Sequence, residues 1–200
     1  TELFNEQGER NVTTNHIAAH LGISPGNLYY HFRNKEDIIH SIFDHYAKHL
    51  ADSFSPIHDK EIRLEHLMGY LDAIFYLMWQ FRFFYANLPD ILSRDERLQH
   101  KYLKAQEQLG SAVVALLASL RDGGVLEVAD EDLPDLGQTI KMVVTFWIAY
   151  QIAQAPGTRV TKALLYKGIL RILFLLRPYL RAGMRSQIES LEAHYRALAG

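Results

Sequence analysis

Between Thr13 and Lys35 the chain reads TTNHIAAHLGISPGNLYYHFRNK, a stretch crowded with side chains that give and accept hydrogen bonds. Thr14, Asn15, Asn27, Tyr29, Tyr30, His31 and Lys35 supply hydroxyls, amides, an imidazole and an ammonium group, and Gly26 lets a base edge or phosphate approach the backbone. Such a set makes and breaks no covalent bonds. It suits recognition of duplex nucleic acid, in which an asparagine pairs with adenine by two hydrogen bonds while tyrosine hydroxyls and lysines hold phosphate oxygens. Catalytic alternatives find little support. There is no Gly-x-Ser-x-Gly, no phosphate-cradling glycine loop and no cysteine, which removes a thiolate zinc site and a Cys nucleophile. His16/His20 and His45/His49 have the four-residue spacing at which two imidazoles share a metal on a helix, but neither pair carries the glutamate of a His-Glu-x-x-His motif. The expectation is no enzyme, no metal and no cofactor.

These residues need a rigid mount, and the surrounding sequence supplies one. Thr13 or Thr14 caps a short helix running to Leu21, whose Ile17, Ala18 and Leu21 form one apolar face, with Ala18 small where two helices cross. Gly22-Ile23 makes a tight turn, and Ser24-Pro25 opens a second helix with serine as cap and proline at the first helical position. Ile23, Leu28 and Phe32 anchor that second helix and leave its polar tips outward. Two short helices about a glycine turn are the geometry of a helix-turn-helix, whose second helix enters the major groove. Asn34 then caps a third helix, with Glu36 and Asp37 in its first turn, continuing to about Asp52.

After Ser55-Pro56 the expected helices lengthen: Lys60–Tyr85, a short piece at Pro89–Leu92, Asp95–Asp122, Asp135–Gln154, Thr161–Leu180 and Arg185–Ala199. Strand alternation and hairpin turns are missing. The expected class is all-α, with a helix-turn-helix head over residues 1–50 and a larger helical body over 51–200. Net charge is −2, and Thr1–Lys48 itself sets Arg10, Arg33, Lys35 and Lys48 against Glu2, Glu6, Glu9, Glu36, Asp37 and Asp44, so bulk electrostatics give no sign of a nucleic-acid partner. The motif carries that reading alone. Lys167, Arg171 and Arg177 within the most apolar helix argue against a membrane span, no secretory signal is visible, and a cytoplasmic location is expected.

Phe4, Gly8, Thr13-Thr14, Ile17-Ala18, Leu21-Gly22-Ile23-Ser24, Gly26, Leu28-Tyr29, His31-Phe32 and Lys35-Glu36 resemble, in order and without gaps, the DNA-binding signature of the TetR family. The resemblance covers about the first fifty residues. It implies that Thr14 and Asn15 contact phosphates, that Gly26, Asn27, Tyr30 and His31 lie against bases or backbone, and that Tyr29 and Lys35 hold phosphates. Asn27 stands where many members carry threonine, so base preference does not transfer.

The resemblance also implies a ligand-responsive, sequence-specific regulator, commonly a repressor, that acts as a homodimer on a near-palindromic double-stranded operator and is released by a small molecule. Dimerisation through the last two major helices places the recognition helices about 34 Å apart. Within Ala163–Leu180, apolar around most of its circumference, Ile169, Ile172, Leu173 and Leu176 are the expected contacts with a second chain. For a largely hydrophobic effector, the density of large side chains points to Phe75, Met78, Trp79, Phe83, Tyr102, Phe146, Trp147 and Tyr150, with Gln80, Tyr102 and Gln106 as conceivable polar anchors. The rival from another class is a helical hydrophobe-binding protein without DNA-binding activity.

Overall fold

Local caps decide where the first helices begin and end. In the computed structural model, which describes residues 1–54 and 64–200, α1 spans Glu2–Gln7 and closes on Gly8 at φ 80°. Thr13 caps α2 (Thr14–His20): its Oγ1 accepts from the His16 N–H at 3.2 Å while its own N–H donates to His16 Nδ1 at 3.3 Å. The end of α2 is a Schellman turn, in which the Ile23 N–H donates to the Ala18 carbonyl and the Gly22 N–H to that of Ala19. That turn needs Gly22 at φ 67°. Ser24 caps α3 (Pro25–His31) through the Asn27 N–H, and Asn34 caps α4 (Lys35–Ser53) through the Asp37 N–H.

The body comprises α5 (Leu64–Gln80), α6 (Arg82–Ser93), α7 (Glu96–Asp122), α8 (Leu133–Gln154), α9 (Lys162–Leu176) and α10 (Arg185–Ala199). The described residues hold no strand beyond one isolated bridge, Leu126 to Leu180, which ties the end of α7 to the chain after α9. The all-α expectation is met. The expected break at Ser55-Pro56 and helix start near Lys60 lie outside the described residues.

Three boundaries differ from expectation. Instead of running through to Tyr85, the helix breaks at Phe81 (φ −115°, ψ 29°). Asn5 of α1 covers the break, donating to the Gln80 carbonyl at 2.8 Å and accepting from the Phe83 N–H at 3.0 Å. The piece at Pro89–Leu92 joins α6 across a kink at Asn87, just before a proline that has no N–H to give. Finally, α9 stops at Leu176 rather than Leu180, because Pro178 sits in a tight turn over Arg177–Tyr179.

One core runs through head and body. The buried face of α4 changes partners along its length: Ile38 serves the head, whereas Phe43, Tyr46 and Leu50 enter the body. There Phe43 meets Phe84, and Tyr46 meets Phe81 and Phe84, at ring separations of 5.3–5.7 Å. The opposite flank is closed by α10, which covers α9, with the Tyr195 hydroxyl donating to Asp72 of α5.

Candidate nucleic-acid interface

On α2 and α3 the apolar anchors turn inward and the polar side chains outward. Ala18 and Leu28 are buried, with Ile17, Ile23 and Phe32 half-buried beside them. Leu21 departs from expectation: it caps the end of α2 on the rim of a cleft shared with Leu3 and Ile42, and it is 57% exposed. Asn15, Gly26, Asn27, Tyr29, Tyr30 and His31 are all exposed, and Tyr30 at 85% is the barest large side chain on the face. Thr14 and Tyr29, distant by fifteen residues, meet through their hydroxyls at 2.9 Å.

Lys35 behaves differently from the expected phosphate contact. Its ammonium group donates to the Glu9 backbone carbonyl at 3.0 Å and lies 2.8 Å from the Glu9 carboxylate, with its side chain largely covered. Arg94 at the end of α6 takes the other carboxylate oxygen of Glu9 at 2.7 Å. Burial pushes the Glu9 pKa up, but the hydrogen bonds and charges of Lys35 and Arg94 outweigh it and hold the carboxyl below its usual value. Lys35 is therefore a bolt between α4 and the head, and through Glu9 to α6. Nearby, Arg10 pairs with Asp90, and His40 of α4 meets Asp95, the cap of α7, at 2.8 Å.

This geometry also resolves the charge paradox. From Arg10 to Lys35 the chain contains no aspartate or glutamate, so α2 and α3 carry none. Of the head's acids, Glu9 is neutralised by Lys35 and Arg94, Asp37 accepts from the Arg33 N–H, and Asp44 of α4 pairs with Lys101 of α7 at 2.7 Å. Counting charge over the motif, rather than the first forty-eight residues, leaves α2 and α3 with no acid of their own, although Glu2 of α1 stands 3.5 Å from His20 at the end of α2.

None of the residues expected to hold an effector lines the interior cavity of the body. Phe75 stacks on Tyr166 of α9 at 4.3 Å, Met78 is core, and Phe83 packs on Phe4 of α1. Trp79 lies under Arg82 and Lys162, Tyr102 packs on Phe43 and Phe84, and the Trp147 indole donates to the Leu164 carbonyl. Phe146 and Tyr150 are half exposed and, with Trp147, line a surface hollow of α8 and α9. A small space of about 40 Å³ lies instead among α4–α8, walled by Tyr46, Ile74, Tyr85, Gln106, Lys141 and Val144 among others. Of the expected polar anchors, Gln106 alone reaches it.

The dimer expectation is corrected as well. Ile169, Ile172, Leu173 and Leu176 are all under 4% exposed within a single chain, because α5 and α10 already cover that face of α9. The apolar surface left bare lies across α8 and α9. It consists of Met142, Phe146, Tyr150 and Phe174, 45–59% exposed, over a hollow of about 610 Å³ floored by Trp147 and Leu175. Gly168 fixes this crossing, since a Cβ there would stand 2.7 Å from the Trp147 ring.

The histidine pairs have ordinary duties: His16 completes the α2 cap, and His49 packs its ring on Tyr76 and His45. Among the described residues no three His, Cys, Asp or Glu side chains gather to hold a metal ion, and no helix is long and apolar enough to cross a membrane.

Comparison with known proteins agrees with this geometry at both ends of the chain. The family model for bacterial regulatory proteins of the tetR family matches residues 1–42, and the TetR model described as a bacterial transcriptional repressor matches residues 45–188. The chain belongs to the TetR family. Both family models are those of bacterial regulators. A crystal structure of a TetR-family transcriptional regulator from Marinobacter aquaeolei VT8 is 40% identical, with a TM-score of 0.87 over 98% of this chain and 94% of that one. The TetR-family regulator PfmR from Thermus thermophilus shares the fold at 19% identity, with a TM-score of 0.64 over 88% of this chain and 93% of that one. An HTH-type transcriptional regulator of Staphylococcus aureus (strain USA300) is 31% identical over 77 residues, covering 34% of this chain and 42% of the relative. The chain thus spans under half the length of that curated relative.

Proposed function

We propose that this TetR-family chain acts in the cytoplasm as a homodimeric repressor that a small, largely hydrophobic effector releases from its operator. Residues 1–50 read the DNA, and residues 51–200 pair the chains and take the effector. The observation that carries the reading is the α2–α3 face, whose two helices carry no acid and where Asn27, Tyr29, Tyr30 and His31 stand in solvent on a helix anchored by Leu28. Asn27 and His31 are assigned to base edges, with Thr14, Asn15, Tyr29 and Tyr30 assigned to the backbone.

Pairing is supported by the bare patch of Met142, Phe146, Tyr150 and Phe174, since contiguous apolar surfaces of this kind mark interaction sites. A two-fold axis there sets two α3 helices side by side for one near-palindromic site. Release is supported by the bolted joint between head and body. The cavity is walled by α4, which begins at Lys35, and by α6, which ends beside Arg94, and both residues grip Glu9. A ligand that swells the cavity shifts both helices and with them the head, through a coupling of about 1–3 kcal/mol.

Selection from a random duplex pool tests the reading. The expected product is an inverted repeat with half-sites about one helical turn, or a multiple of it, apart. A lone half-site, or no enriched sequence, overturns it.

A further inference from the structure

We propose that the ligand of the cavity among α4–α8 is a monocarboxylate with an apolar tail, its head group held by Lys141 and the Tyr46–Tyr85 hydroxyls and its tail lying between α4 and α7. The idea rests on the effector reading above and names the chemistry of that site.

The wall of the cavity is apolar except at Tyr46, Tyr85, Gln106, Lys141 and Thr145, and of these Lys141 alone carries a charge. Lys141 of α8 uses one N–H on the Gln106 carbonyl of α7 at 2.9 Å. No carboxylate among the described residues pairs with it. Burial accordingly pulls its pKa below the ordinary lysine value, with no opposing charge to restore it. Tyr46 and Tyr85 are fully buried, and their hydroxyls meet at 3.2 Å. Two hydroxyls carry two hydrogens and share one bond, so one hydrogen is left with no acceptor among the described protein groups. Burial drives both phenol pKa values upward, keeping both as neutral donors. A desolvated cation lining the same cavity as a spare hydroxyl donor favours an anionic acceptor.

The charge count selects the kind of anion. One lysine neutralises one negative charge, whereas a phosphate dianion would leave a second charge buried without a partner. The tail has a place as well. Leu50, Phe54 and Leu109 wall the cavity on one side and an outer groove of about 300 Å³ on the other, and this groove is otherwise lined by Ala47, Ala51, Ala105, Ala112 and Gln108. The inner cavity alone, about 40 Å³, holds only a carboxyl-sized group, so a tail reaches the groove of about 300 Å³ only by parting the Leu50, Phe54 and Leu109 side chains that stand between the two. Gly110 leaves room for the ammonium group, because a Cβ there would stand 3.2 Å from Lys141 Nζ.

The test is calorimetric titration of the full chain with octanoate, decanoate and dodecanoate, alongside the alcohols and amines of the same lengths. At the best length the carboxylate should bind about ten- to a hundredfold more tightly than the alcohol, with the amine weakest. Lys141→Met should abolish that advantage while keeping the alcohol's affinity. Gly110→Ala, which adds a good helix former and removes no charge but presses on the Lys141 ammonium group, should reduce it in the same direction. A carboxylate that binds no better than its alcohol, or not at all, overturns the proposal, and so does an advantage that survives both substitutions. Operator binding measured in parallel separates the two readings: a Lys141-dependent carboxylate that binds without releasing DNA contradicts the effector reading and leaves this site standing.

Discussion

On the α2–α3 face the exposed rings of Tyr29 and Tyr30 stand among Asn15, Asn27 and His31, whereas on the α8–α9 face Phe146, Tyr150 and Phe174 stand over Met142, Trp147 and Leu175. Both faces leave aromatics in water, so exposure alone does not name a partner. What surrounds the rings does. Hydroxyls, amides and imidazoles on helices without an acid offer hydrogen bonds to phosphates and base edges, while a mainly apolar hollow edged by Gln151, Gln154 and Arg171 offers chiefly the exclusion of water. In the proposed dimer the first face depends on the second, because a single head would make half the contacts of a paired site.

The sharpest way to break that dependence is Phe146→Glu. On a two-fold axis the substitution appears twice, placing unpaired carboxylates in the apolar contact. Light scattering should then report a monomer, and operator affinity should fall more than ~100-fold with the α2–α3 face untouched. A dimer with full affinity would place the interface elsewhere.

Next in size is Glu9→Gln, which leaves Lys35 and Arg94 without their shared carboxylate and should cost about 2–3 kcal/mol in denaturant unfolding. Its pH signature has a definite sign. A carboxyl held below its unfolded value of 4.5 adds stability above that pH, and the contribution is lost as pH falls through the folded value. The wild type should therefore lose its stability margin over the variant in that acid window. Parallel curves would mean the bolt carries no such energy.

Asn27→Ala should weaken the selected operator by about 1–3 kcal/mol per half-site and relax preference at one position in each. Equal losses on every sequence would assign Asn27 to the backbone instead. The smallest change is Tyr29→Phe, expected to cost about 0.5–1.5 kcal/mol uniformly across sequences, because its hydroxyl is already shared with Thr14.

How much was legible in the residues follows from the range of the forces involved. The caps at Thr13, Ser24 and Asn34 and the turn at Gly22 act over three or four residues, so the helix-turn-helix could be read directly. The α5–α6 break could not, since Phe81 lies in a run without glycine or proline and its cap, Asn5, arrives from seventy-five residues away. Lys35 at a helix start resembled a phosphate ligand until the fold set Glu9 against it. For α9, apolar on most sides, the sequence holds no local signal of which face meets α5 and α10 and which stays bare; the inward Ile169 and Leu173 and the outward Phe174 differ only in what the rest of the chain covers. The cavity was missed because its polar points, Tyr46, Tyr85 and Lys141, come from three different helices.

The most direct test of the central claim is the salt dependence of binding to a selected duplex, followed by fluorescence anisotropy. Phosphate contacts made from α2 and α3, which carry no acid, release counterions, so the logarithm of the binding constant should fall steeply and linearly with the logarithm of salt concentration. A flat dependence, or no saturable binding at low salt, would contradict the assignment of the α2–α3 face to DNA.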